Sequence, residues 1–261
     1  MTASGSLDLA IPGPFRKPAD CYADSMSVYR IFLAGASGAI GRRLIPLLLQ
    51  AGHSVVGTTR TAAKAESLRT LGIEPAVVDV FDAAALMKAV RAARPEIVIH
   101  QLTDLPKDLN PNEMAEGRIR NARIRKEGTR NLVRAAAEAG ARRLISQSIA
   151  WVYASGPEPH TESDLVSPEQ AGVITLEDLT LSTPTLEGVV LRYGQLYGPG
   201  THTTTPLGAI TVHVDAAAYA ALLAVDQGKP GIYNVADPNT YAATSKASTE
   251  LGWNADFRIA N

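Results

Sequence analysis

Residues 35–41 read Gly-Ala-Ser-Gly-Ala-Ile-Gly and set three glycines at intervals of three. The first suits a tight turn, the second the close approach of a diphosphate, and the third the seating of a helix against a strand. Gly35, Ser37, Gly38, Ala39, Ile40 and Gly41 are therefore candidate phosphate-cradling residues, because amides at a helix start present free N–H groups to an anion. A glycine hexad alone is a weak signal. This one follows an apolar strand pattern at 28–34, opens a helix pattern and precedes a second strand pattern at 54–59. That context predicts dinucleotide binding rather than a purely structural turn.

The second strand pattern ends in Thr58-Thr59-Arg60 with no carboxylate to receive ribose hydroxyls; Lys64 follows, and Arg42 and Arg43 stand just behind the turn. A guanidinium fork can hold a 2′-phosphate, whereas an acidic residue holds the two hydroxyls of NAD. The pattern favours NADP, with NAD possible. Asp79 follows the third strand pattern and either accepts from adenine or caps the helix that begins near Asp82. His100, Gln101, Leu102 and Thr103 close the fourth, beside the expected nicotinamide-side ribose. His100 there is either a proton donor or a hydrogen-bonded structural histidine.

Those residues must be carried by alternating elements. Strands are expected at 28–34, 54–59, 75–78, 96–100, 142–147 and 187–192, and helices at 39–51, 61–71, 82–93, 113–139 and 169–181. Helix signals return at 215–225, before an extended stretch at 231–235. Strands as apolar as Ile97–Ile99 are covered by helices on both sides. The expected architecture is α/β, a Rossmann-type doubly wound, largely parallel sheet with a small C-terminal substrate-binding lobe. Its divisions are a flexible leader at 1–27, a dinucleotide-binding core at 28–192, and 193–261 as mainly the substrate-side lobe, interleaved with the core. In the long helix Asn121, Arg125 and Gly128 fall near one face. A glycine inside a helix costs about 1 kcal/mol relative to alanine, so either Gly128 packs closely on cofactor or sheet, or the helix tolerates it.

The 261 residues are 46% hydrophobic and carry a net charge of −1, so no global field draws nucleic acid or anionic lipid. Glu116, Glu127 and Glu138 interrupt the arginines of the long helix, which also argues against a nucleic-acid partner. Cys21 is the sole cysteine, which excludes an intrachain disulfide, a thiolate metal site and a cysteine redox pair; no metal ligand set is expected. No run of apolar residues is long enough to span a bilayer, and a cytoplasmic protein without a membrane partner is the expectation. The leader either hangs free or covers an apolar groove through Leu7, Leu9, Ile11 and Phe15.

Together the segments resemble the extended short-chain dehydrogenase/reductase superfamily, in particular its NAD-dependent epimerase/dehydratase family. The likeness rests on the glycine turn, on D-V-F-D at 79–82, N-A-R-I-R-K-E-G-T-R-N-L at 121–132 and R-R-L-I-S-Q-S-I-A-W-V-Y at 142–153. Further matches are L-R-Y-G-Q-L-Y-G-P-G at 191–200, H-V-D at 213–215, Y-N-V at 233–235 and E-L-G-W at 250–253. The resemblance implies an NAD(P)-linked enzyme acting on a hydroxyl or carbonyl of a small molecule, possibly a sugar or sugar nucleotide. Asp79, Val80, Gln101, Leu102, Asn121 and Ser146 join Arg60 as cofactor contacts. It also implies a homodimer formed through helices 113–139 and 169–181.

In that family a Ser or Thr, a Tyr and a Lys four residues after it perform the proton and hydride work. This chain departs from the set: no tyrosine has lysine four residues later. Anchored on Tyr153, the Ser/Thr position falls on Ile149, with Ser148 just before it; aligned through Glu177, the Tyr and Lys positions fall on Glu169 and Val173. Ser148 and Tyr153 are the substitute catalytic candidates, and Thr103, Ile149, Tyr193 and Tyr197 the substrate-side ones. Each tyrosine is alternatively a wall residue. Asp215 looks like the N-cap of the helix after it, and only twelve residues separate Gly200 from His213, where relatives carry a long excursion. Two functions stay open: an oxidoreductase or epimerase-like enzyme, and a non-catalytic dinucleotide-binding sensor or assembly protein.

Overall fold

A computed structural model describes residues 27–260; the expected leader, with Cys21, lies outside them apart from Ser27. Seven strands form one sheet: β1 (Arg30–Ala34), β2 (Ser54–Thr59), β3 (Glu74–Val77), β4 (Ile97–His100), β5 (Arg143–Ile149), β6 (Glu187–Tyr193) and β9 (Gly231–Val235). Their order is β3-β2-β1-β4-β5-β6-β9, and every pairing is parallel. β1, β4 and β6 are buried over almost their whole length, which is why their sequences run apolar without alternation. β3 contains Pro75, whose missing N–H is harmless at a sheet edge.

One face is covered by α1 (Ala39–Gln50), which packs on α7 (Val214–Leu223). On the other face lie α3 (Ala83–Ala93), the helical run from α4 (Met114–Arg123) to α5 (Thr129–Glu138), and α6 (Ala171–Leu181). α2 (Ala62–Thr70) flanks β2 and β3. α7 is buried on all sides because the chain end covers it: Trp253 Nε1 donates to Ala216 O at 2.8 Å, and Phe257 stacks on Tyr219 at 4.0 Å. Its five alanines allow that close approach.

The strand–turn–helix–strand unit of residues 28–59 forms within two residues of its expected boundaries. Two other features differ from expectation, the π turn of the long helix and the small elements flanking β9. The long helix is interrupted by one π-helical turn, Ile124–Gly128. Residues 193–261 contribute β9 to the main sheet and α7 to its cover, near the helix and extended stretch expected at 215–225 and 231–235. Beyond β6 a small parallel pair forms, β7 (Gln195–Tyr197) with β8 (Thr211–His213), and α8 (Ser245–Glu250) follows β9. Among the described residues no helix is long and apolar enough to cross a membrane.

Candidate functional site

The glycine turn joins the end of β1 to the start of α1. Gly35 adopts φ +94°, a conformation that side chains disfavour. Its N–H donates to Thr58 Oγ1 at 3.1 Å, and its carbonyl accepts from Gly38 N–H at 3.0 Å. A Cβ on Gly35 would stand 2.6 Å from Gln101 O, and one on Gly41 2.6 Å from Ala36 O, so both glycines are required by backbone packed against backbone. Gly38 differs: a Cβ there would meet only Gly35 O, at 3.2 Å, and otherwise open space. It is the N-cap of α1, with no side-chain cap and no acidic residue in the first turn. The helix therefore begins with uncapped amides and a positive dipole end facing free volume, which fits a diphosphate.

In front of that turn lies a crevice of about 340 Å³. Of the expected cofactor contacts it gathers Gly35, Ser37, Gly38 and Arg60 from the first half of the unit, and Asp79, Val80, Gln101 and Leu102 from the ends of β3 and β4, with Thr103 beside them. Ala39, Ile40 and Gly41 stand behind the lining in the first turn of α1. The Thr59 hydroxyl is buried in the wall with no hydrogen-bond partner among the described residues, a donor left for a ligand. Arg60 and Lys64 line the same end. Arg60 is largely exposed and lies 3.6 Å from Asp104, which also faces Arg120 at 3.7 Å. Arg43 is not available there, because Asp215 grips it at 2.5 and 3.1 Å.

Asp215 is thereby corrected as a helix cap: the cap of α7 is His213, whose ring accepts from Asp215 N–H at 3.2 Å. The cap of α3 is Asp82, accepting from Ala85 N–H at 2.9 Å, while Asp79 accepts from Phe81 N–H at 2.9 Å and stays exposed in the crevice. His100 proves structural. It is fully buried; its Nδ1 accepts from Leu102 N–H at 3.2 Å, so Nε2 carries the proton to Thr129 Oγ1 at 3.0 Å. Burial, with help from the positive field of Arg125, lowers its pKa to about 4, leaving it neutral. Asn121 does not line the crevice; its Oδ1 accepts from Asp104 N–H at 3.1 Å and so holds the loop after β4. Gly128 packs on Val80, whose Cγ1 would lie 3.1 Å from an added Cβ.

Ser146, Ser148, Tyr153 and Tyr193 are buried in the fold. Ser146 accepts from Thr180 Oγ1 at 2.9 Å beneath the surface. Ser148 donates to Glu177 Oε1 at 2.7 Å, and the same carboxylate receives Arg192 Nε and Nη2 at 2.9 and 2.6 Å, all three residues buried. Tyr153 donates to Asn234 Oδ1 at 2.6 Å, with the Arg192 guanidinium 5.0 Å from its ring centre and His160 stacked on it at 4.8 Å. Burial raises the Tyr153 phenol above its ordinary pKa. Tyr193 is buried next to Gln101; burial raises its pKa, weakly opposed by Gln101, yet neither side chain has a hydrogen bond of good geometry among the described residues. Tyr197 meets the His213 ring edge-on at 5.1 Å, and Ile149 ends β5 half-buried. The Glu177–Arg192 pair and Asn234 were not anticipated as parts of the site; a lone arginine inside the apolar run Val-Val-Leu-Arg-Tyr was the available signal, since a buried charge needs a partner.

A sequence model described as the NAD dependent epimerase/dehydratase family matches residues 31–229. The 3-diazoavenalumate denitrifying reductase of a Streptomyces species is 39% identical over 238 residues, covering 80% of this chain and 76% of the relative. Cinnamoyl-CoA reductase 2 of Medicago truncatula is 31% identical over 147 residues, 53% of this chain and 40% of that protein. Among solved structures, the Bordetella bronchiseptica enzyme WbmG in complex with NAD and UDP superposes with a TM-score of 0.69 at 20% identity, covering 89% of this chain and 91% of the other. UDP-glucuronic acid 4-epimerase from Bacillus cereus, in complex with UDP-glucuronic acid and NAD, gives 0.71 at 18%, covering 87% and 94%. At these identities the likeness speaks for the fold. With a match over most of its length, the chain belongs to the NAD-dependent epimerase/dehydratase family.

Proposed function

We propose that the protein is a reductase that binds a nicotinamide dinucleotide along the crevice, prefers NADPH to NADH, and reduces a small carboxylate bearing an aryl diazonium group. The glycine cradle and the uncapped start of α1 support the diphosphate position. Arg60, Lys64 and the unpaired Thr59 hydroxyl support a 2′-phosphate at the end of β2. When bound, the reduced cofactor supplies a hydride: the diazonium carbon gains hydrogen, its C–N bond breaks, and dinitrogen leaves with the bonding electrons, so the balance needs no proton.

The observation that carries this reading is the engagement of the two catalytic candidates, Ser148 and Tyr153. A carbonyl reductase must deliver a proton to the oxygen it reduces. Here no tyrosine has lysine four residues on, Ser148 gives its proton to Glu177, and Tyr153 gives its own to Asn234. A substrate that loses dinitrogen makes no such demand. The substrate class follows the printed name of the Streptomyces relative. The twelve residues between Gly200 and His213 favour a small, planar molecule over a sugar nucleotide. In this reading Ser148 and Tyr153 hold the cleft floor in place, and Thr103, Ile149 and Tyr197 form its wall.

The test is incubation of purified protein with C4-deuterated NADPH and the diazonium salt of 3-aminocinnamate, with denatured protein as control. Deuterium on the ring carbon above the control rate supports the reading. Turnover of aldehydes, ketones or UDP-sugars without diazonium turnover would replace it with a carbonyl oxidoreductase or epimerase. Saturable NADPH binding with no turnover of any of them would replace it with a non-catalytic binding protein.

A further inference from the structure

Arg125 sits inside the π-helical turn of Ile124–Gly128, and its neighbour Ile124 lines the crevice. A π turn inside an α-helix is rare and gathers at functional positions, because it turns a side chain out of the regular helix register. The Arg125 guanidinium is half-buried, yet among the described residues it makes no ion pair and no hydrogen bond. The other arginines of the helical run 114–138 for which an ion pair exists, Arg120, Arg123 and Arg134, meet acids on the outer surface.

Its surroundings are the end of β4 and the inner side of α6. His100 ends β4 and feels its positive charge. Glu177 is close enough to oppose the effect of burial on it, but that carboxylate is already filled by Arg192 and Ser148. On α6, Gly172 lies beside its stem: an added Cβ would be in ordinary contact, 3.6 Å from Arg125 Cδ and 3.6 Å from Ala122 Cα. The next residue is Val173, where the family resemblance would put lysine, and it is almost wholly buried. A guanidinium stays charged at neutral pH and offers a planar fork of donors, which matches a carboxylate better than a single hydroxyl. Leaving such a fork half-buried and unpaired is costly unless a ligand completes it.

We infer that Arg125 is the anchor for the substrate's carboxylate, holding it by a two-pronged hydrogen bond between the end of β4 and α6. This builds on the substrate class proposed above, although its test needs no turnover. The probes are trans-cinnamate and uncharged trans-cinnamamide, titrated calorimetrically into the NADP⁺-saturated protein. The wild type is expected to bind cinnamate at least about ten-fold more tightly than cinnamamide. Arg125→Ala should lower cinnamate affinity about ten- to a hundred-fold, leave the amide within about two-fold, and leave NADP⁺ affinity unchanged. Arg125→Lys should restore part of the difference, since a point charge lacks the fork. Arg125→Gln, closer in shape, serves as the neutral variant if alanine impairs folding.

Several results overturn the inference: no preference for cinnamate in the wild type, including no detectable binding of either probe; a preference that survives in the neutral variant; or an equal loss for acid and amide. A loss that falls on NADP⁺ instead would assign Arg125 to the cofactor and also overturn it. Retained, Arg125-dependent cinnamate preference with no hydride transfer would sink the reductase reading and leave the anchor standing.

Discussion

Replacing Glu177 by glutamine tests the reading that the Ser148 side is architecture. The Glu177 carboxylate receives three hydrogen bonds, from Arg192 Nε at 2.9 Å, Arg192 Nη2 at 2.6 Å and Ser148 Oγ at 2.7 Å. The side chains of the ion pair are 2% and 6% exposed. Removing one partner of a buried pair leaves the other charge uncompensated and costs about 3–5 kcal/mol. In a protein of this size each kcal/mol lowers Tm by about 2–4 °C, so Glu177→Gln should melt about 6–20 °C below the wild type. Ser148→Ala removes one hydrogen bond to a charged acceptor, about 1.5–3 kcal/mol, and leaves the pair intact, so it should melt about 3–12 °C lower. Replacing Glu177 and Arg192 together by methionine should recover part of the loss, because the desolvation cost disappears with both charges. The assay is thermal melting followed by circular dichroism. A Glu177→Gln protein melting within about 2 °C of the wild type would refute the argument.

Three further predictions concern the dinucleotide crevice and the buried histidine. Arg60→Ala should weaken NADPH about ten-fold or more and NADH little, the exposure of Arg60 and its Asp104 neighbour keeping the effect at the lower end; equal losses in a fluorescence titration would reject the 2′-phosphate assignment. Gly38→Glu should abolish binding of both dinucleotides, because it puts bulk and negative charge in the one open approach to the helix start; unchanged affinity would remove the diphosphate from this turn. The pKa of His100 is lowered from 6.5 to about 4 in the folded protein, so between those values the unfolded chain binds more protons. Its contribution, up to about 3 kcal/mol, is fully present above the unfolded value and is lost as pH falls towards the folded one. Tm should therefore fall less steeply with acid in His100→Asn than in the wild type, and parallel profiles would contradict this.

What was legible in the sequence was what short-range interactions decide. The β1–turn–α1–β2 unit needs only an apolar run, glycines where backbone meets backbone, and a helix pattern, all within residues 28–59, and it formed as expected. The partners of Ser148 and Tyr153 were not legible, because they lie 29 and 81 residues away. Asp215 was misread for the same reason: a local cap pattern lost to Arg43, 172 residues earlier in the chain. That Asp82 and not Asp79 caps α3 is decided by spacing, since Asp82 stands where Ala85 N–H can reach it. The π turn left no sign in the sequence, since it changes hydrogen-bond register without needing proline or a left-handed residue.

That turn divides the long helix into two halves whose seating is decided separately. Gly117 fits against Pro106 and Asn121 holds the loop after β4, while Leu132, Ala135 and Ala136 fill the core. Of the wide turn between them, Ile124 is core and Gly128 packs on Val80, while Arg125 makes no polar contact among the described residues. The contacts that seat the helix thus belong to the neighbours of position 125 rather than to its guanidinium. A lineage of such proteins could trade one substrate for another by exchanging a single side chain there.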